Sequence, residues 1–137
     1  MTTGNLYGYA LPAQYAPIVD HTYVTSDDGH TWGCHGRSAG GHLICSGRGN
    51  VPQADCLAQQ NGEAGIVYKR TGVCHQIANR ILFPAGATVS SARGARASFF
   101  RWGVYGLDSR GCPCDPELNP WLELRRCLEV HQHEPLL

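Results

Sequence analysis

"GVCHQIANRILF", residues 72–83, is the stretch on which the fold turns. From Cys74 to Phe83 it holds no glycine or proline, and Pro84 stops it. Ile77, Ala78, Ile81 and Leu82 fall at i, i+1, i+4 and i+5, which is one face of a helix. Thr71 is placed to cap it, giving a start at residue 72 or 73. A helix with one apolar face needs a surface to cover, and the chain on its N-terminal side supplies strands.

Residues 18–25, IVDHTYVT, are β-branched and aromatic, as strands prefer. SDDG at 26–29 is a turn signal, and HTWGCHG at 30–36 runs back as a second arm weakened by Gly33 and Gly36. HLICS at 42–46 reads as a third short strand. Residues 47–65 read as connector with a helical turn around 55–60, and residues 66–69 as another short strand. The aromatic run from Phe99 to Tyr105 suits strand or helix equally. NPWLELRRCLEV, residues 119–130, predicts a C-terminal helix with Asn119 as cap and Pro120 in its first turn. Trp121, Leu124 and Leu128 form its apolar stripe. The class that follows is α+β, a small antiparallel sheet packed against the Cys-bearing helix. The expected organisation is one domain. Residues 1–17 are an extended segment, 18–107 the core, and 108–137 the C-terminal helix and tail.

A chain of 137 residues suits a single domain. It can bury roughly two-thirds of its unfolded surface, enough for a core without staples. Only 16% of residues are charged and the formal net charge is zero, which argues against a nucleic-acid partner. No run approaches the 18 or so apolar residues of a membrane span. The first 17 residues lack the basic and continuous apolar regions of a secretory signal. The expected location is therefore the outside or the periplasm by a non-classical route, or else the cytoplasm. Seven cysteines stand at 34, 45, 56, 74, 112, 114 and 127. An odd count leaves at least one thiol unpaired if the rest form intramolecular disulfides, and fully reduced thiols are the competing state.

Cys74 opens the helix. Aligned peptide dipoles there lower a thiol pKa, a nearby imidazolium adds to the effect, and the backbone N–H groups can receive an oxyanion. His21, on the clearest strand, is the candidate base. Opposed side chains in a hairpin lie about 4.5–5.5 Å apart at Cβ. A turn centred on Asp28 sets His35 or its neighbour opposite His21, where it can orient the ring. His42, at the start of the next strand, is the rival orienter. His30 sits in the turn, and Asp20 faces away from His21 in a regular strand. Tyr23 and His75 are further candidate oxyanion donors.

"VDHTYV" resembles the histidine strand, and "GVCHQIANRIL" the Cys-led helix, of circularly permuted papain-like hydrolases. That group includes permuted NlpC/P60 proteins and lecithin:retinol acyltransferase-like enzymes. The order His21, His35, Cys74 matches the permuted pattern. An ordinary papain order needs a histidine after Cys74, where only His75, His131 and His133 stand. The likeness covers residues 18–83. It implies acyl transfer or hydrolysis through a cysteine thioester, with no cofactor. His21 would take the Cys74 proton, the thiolate would attack a carbonyl, and the Cys74 amide would stabilise the oxyanion. General base help is worth about 10²–10⁴ in rate and one oxyanion donor about 10²–10³. No apolar membrane-binding segment is visible, which favours an amide or peptide substrate over a lipid ester. The setting implied is a small bacterial effector or cell-wall enzyme, with room for an inhibitory partner protein.

Other readings stand beside this one. Cys74 shares the apolar face of Ile77, Ala78 and Ile81, and free cysteine is among the most buried residue types. Cys34, His35, His42 and Cys45 make a Cys/His set of the kind zinc takes, but no C-x₂-C spacing appears, and no metal site is expected. The CPC at 112–114 suits neither a zinc knuckle nor a redox motif. "GRGN" at 47–50 and "ARGAR" at 92–96 are weak anion-binding signals that read as solvated loops. The rival classes are a disulfide- or zinc-stapled binding module without catalysis and a phospholipid acyltransferase of the same fold.

Overall fold

Four strands, β1 (Thr3–Pro12), β2 (Asp20–Ser26), β3 (Thr31–Gly33) and β4 (His42–Asn50), form one sheet in the order β3-β2-β1-β4. Each pairing is antiparallel. The described residues also form three α-helices, α1 (Val51–Ala58), α2 (Cys74–Leu82) and α3 (Ala95–Trp102), with a 3-10 turn at Phe83–Ala85 after α2. The computed structural model describes residues 3–33, 37–60 and 63–107. The α+β class and the sheet against a Cys-bearing helix are as the sequence predicts. The helix predicted over 119–130 lies outside the described residues.

β1 corrects the sequence reading, which left residues 1–17 outside the core. It is a central strand, paired with β2 on one side and β4 on the other. Gly4, Leu6, Gly8 and Ala10 face inward while Asn5, Tyr7 and Tyr9 lie half-buried on the outer face. Two of the four inward positions are glycine, so the strand shows no apolar alternation in sequence. Gly8 is there for space: a β-carbon would stand 2.5 Å from Cys45 Sγ.

β2 and β3 form the expected hairpin, with Tyr23 opposite Gly33 and Thr25 opposite Thr31. β4 runs to Asn50, so "GRGN" is strand and not loop. A β-carbon at Gly47 or Gly49 would run into the backbone of Ala85 or Pro84, and glycine lets the turn after α2 lie on the strand. Asn50 then caps α1 by accepting the Gln53 amide at 3.1 Å, making a full helix where the sequence suggested a turn. Trp32 Nε1 donates to Asp55 at 3.0 Å and ties β3 to α1. Cys56, on α1, is disulfide-bonded.

Residues 66–69 form no strand; a lone bridge joins Tyr68 to Gly72. Thr71 does not cap α2, because its hydroxyl accepts the Val67 amide at 2.8 Å. The cap is Val73, whose N–H donates to the Gln76 side chain at 2.9 Å. All nine residues of α2 are buried. Ile77, Ala78, Ile81 and Leu82 join Leu6, Ala10 and Val24 in the core. The opposite, polar face is buried too, under the chain that follows α3. There Gln76 donates to Gly103 O, Asn79 to Val104 O, and Arg80 to Tyr105 O and Ala64 O. The region around Phe99, ambiguous in sequence, is α3.

Candidate functional site

The N-terminus of α2 abuts the start of β2. Cys74 Sγ lies 3.9 Å from the Asp20 carbonyl, to which the thiol donates. His75 Nε2 donates to the same oxygen at 2.8 Å, and its Nδ1 lies 2.9 Å from Ser98 Oγ. A carbonyl only accepts, so the proton of neutral His75 sits on Nε2. The Asp20 carboxylate is held by Arg93, through its amide and Nε at 2.9 Å each and a guanidinium contact at 2.8 Å. His75, Asp20, Arg93 and Ser98 thus clamp α2, α3 and β2 together.

Two groups in this clamp depend on pH. Burial raises the Asp20 carboxyl, but the hydrogen bonds and charge of Arg93 outweigh it and leave the pKa below the ordinary range. Burial pushes His75 down against the opposing pull of Asp20. A depressed folded pKa adds stability above the unfolded value, and that stability is lost as pH falls through the folded value. Melting temperature should therefore decline from about pH 6.5 downward, as His75 must charge, and again below about pH 4, as Asp20 is protonated. Asp20→Asn is expected to be less stable at pH 7 and to lose the second step while keeping the first. Melting curves from pH 7 to pH 2.5 read both.

Cys74 is 7% exposed. Burial is the largest influence on it and pushes the thiol above its ordinary pKa, so the resting form is the protonated thiol. Against burial stand four donors that favour the thiolate: the Thr22 amide and hydroxyl and the amides of His75 and Cys74. Thr22 is 1% exposed, and its hydroxyl makes no hydrogen bond among the described residues. An orphaned buried hydroxyl costs about 1–3 kcal/mol. Ionisation of Cys74 supplies its missing acceptor. The sequence reading missed Thr22, since a threonine within a strand run signals only β propensity. Thr22→Val keeps the shape and removes the donor. Iodoacetamide should then label Cys74 about 10-fold more slowly, the equivalent of one charge-assisted bond of about 1.4 kcal/mol or more. Thr22→Ser should stay near wild type, and neither variant should lower the melting temperature.

The other candidates sit elsewhere. In β2, Asp20, Thr22 and Val24 face α2, because Thr22 pairs with inward Ala10 and Val24 with inward Gly8. His21 and Tyr23 therefore point to the outer face, where they pair with Leu11 and Tyr9. His21 Nε2 donates to Arg37 O at 2.9 Å, and Tyr23 stacks on Tyr9 with ring centres 5.1 Å apart. Tyr23 Oη accepts the Gly41 amide at 2.9 Å. Neither residue shares a face with the sulfur, which corrects the expectation that the His21 side of β2 meets the helix. No hydrogen bond joins Cys74 to a histidine ring among the described residues. His75, adjacent in sequence, has its Nε2 committed to Asp20 O. His42 is exposed at the start of β4, and Ala10 of β1 stands between it and Thr22. His30 pairs with Asp28 at 2.7 Å, which lowers that carboxyl to about 2, and stacks on Trp32. His35, with Cys34, Cys112, Cys114 and Cys127, lies outside the described residues.

A cleft of about 400 Å³ opens beside this junction, lined by His21, Arg37, Val19, Tyr68, Lys69 and the loop around Tyr15. Cys74 is not on its wall, but Tyr68 and Lys69 are, in the turn that leads through Gly72 into α2. Cys45, the other free thiol among the described residues, is half-buried against β1 and raised by burial. No group of three or more metal-ligating side chains occurs among the described residues. No described helix is long and apolar enough to cross a membrane. A scan against protein-family models, a search of curated proteins and a search of solved structures each found no match to this chain.

Proposed function

We propose that the chain is a cysteine-dependent amide hydrolase that works through a thioester on Cys74. The observation that carries this reading is Cys74 at the first turn of α2 beside the Thr22 hydroxyl of β2, which is buried and has no hydrogen-bond partner among the described residues. Those groups favour a thiolate, and the same kind of donor favours the oxyanion that follows its attack. In this reading the thiol proton passes to solvent as the thiolate forms, since His21 lies on the other face of β2 and His75 Nε2 is committed to the Asp20 carbonyl. Water then releases the acyl group.

Iodoacetamide labelling between pH 5 and pH 9, resolved by peptide, tests both parts. Cys74 should react faster than Cys45 near neutral pH, and His21→Ala should leave its rate within about 2-fold of the parent. A rate slowed about 10-fold in His21→Ala, with the Thr22→Val effect intact, would give His21 the role of base after all. A Cys74 that never outpaces Cys45 overturns the hydrolase reading. The alternative is then a disulfide-stapled module without catalysis, which the burial-raised Cys74 thiol and the bonded Cys56 favour.

A further inference from the structure

The cleft beside the α2 start has a charge pattern of its own. Arg37 and Lys69 both line it, and no carboxylate does among the described residues. Neither cation has an ion-pair partner there; the described ion pairs are His30 with Asp28 and Arg93 with Asp20. Tyr15, Tyr68 and Val19 supply the apolar part of the wall, and Tyr15 is 92% exposed at the rim. Lys69 is the one lysine in the chain. It holds a positive φ of 70°, a conformation that favours glycine, and is fixed by its amide bonding to Gly72 O at 2.7 Å. A long charged side chain kept at a strained position, where glycine would be unstrained, points to a use for that charge. The volume suits a small ligand, since such pockets run from about 300 to 1,000 Å³.

We propose that this cleft binds the acidic end of the substrate, a carboxylate carried on an aromatic or aliphatic group, between Arg37 and Lys69. The guanidinium takes the carboxylate through paired N–H groups, and the ammonium adds a point charge. The tyrosines and Val19 cover the apolar portion. The assignment to substrate rests on the reading of Cys74 as nucleophile; the binding itself does not.

The test uses the whole chain carrying Cys74→Ser, so that no chemistry intervenes. N-acetyl-phenylalanine and its carboxamide are titrated by calorimetry at low and moderate salt. The acid should bind at least 10-fold tighter than the amide, and the difference should shrink with salt. Arg37→Gln and Lys69→Gln should each remove most of that preference. Lys69→Gly relieves the backbone strain, so it should melt higher than the parent and still lose the preference. Equal binding of acid and amide, no binding of either, or an undiminished preference in the lysine and arginine variants overturns the proposal. Because the readout is binding, it stands or falls separately from the activity of Cys74.

Discussion

Cys74→Ala is expected to reduce amide hydrolysis at least about 10³-fold while the fold survives. Removing the nucleophile of a covalent mechanism removes the intermediate, and the loss is large because the surrounding groups act only through it. The structural loss is small. The hydrogen bond the thiol donates is long, 3.9 Å to Asp20 O, and the clamp beside it runs through His75, Arg93 and the strand backbone. A change of less than about 1 kcal/mol in stability is therefore expected. Cys74→Ser is the sharper control. It keeps the size and the hydrogen bond but ionises far too weakly to profit from the donors. Both variants should show unfolding curves close to wild type beside activity at background. Activity retained in either means the chemistry lies elsewhere.

Arg80→Met is expected to give the largest loss of stability, about 3–5 kcal/mol, with little direct effect on the sulfur. Arg80 is 0% exposed in the middle of α2. Its Nε and Nη1 donate to Tyr105 O and to Ala64 O, 2.9 Å away for the latter, so it joins the chain after α3 to the chain before α2. Hydrogen bonds from a charged donor are worth about 1.5–3 kcal/mol each, and a truncated partner leaves buried carbonyls unsatisfied at about 1–3 kcal/mol each. Methionine fills part of the volume and supplies no donor. Denaturant titration should show the midpoint falling with the slope unchanged. Arg80→Lys should recover only part, since one ammonium does not span both carbonyls in the geometry of the guanidinium fork. A loss under 1 kcal/mol would mean that the 103–105 segment is held by Gln76 and Asn79 alone.

The parts of this fold that glycine and proline punctuate were legible. Pro84 ends α2, the SDDG turn sets the β2–β3 register, and Cys74 opens its helix as predicted. β1 was not legible, because Gly4 and Gly8 occupy half of its inward positions and hide the period of two. Nor was the polar face of α2. Nothing in the sequence marks Gln76, Asn79 and Arg80 as buried; the return of the chain at 103–105 and the Ala64 carbonyl cover them. The candidate site shows the sharpest limit. Residues 20–24 are buried on both faces of β2, so the sequence carries no sign of which face meets the helix. The apolar-inward rule fails there, since Asp20 and Thr22 face α2 through Arg93, the thiol and backbone groups. His21 was correctly placed on a strand, and its face was not legible.

Intact-protein and peptide mass spectrometry after brief exposure to an activated acyl ester at pH 7 tests the central claim most directly. The account predicts one acyl group per chain, held as a thioester on the peptide carrying Cys74 and released by hydroxylamine. It should be absent in Cys74→Ser and form more slowly in Thr22→Val. Acyl groups appearing on Cys45 at an equal or greater rate, or on lysine and histidine with Cys74 unmodified, would contradict it.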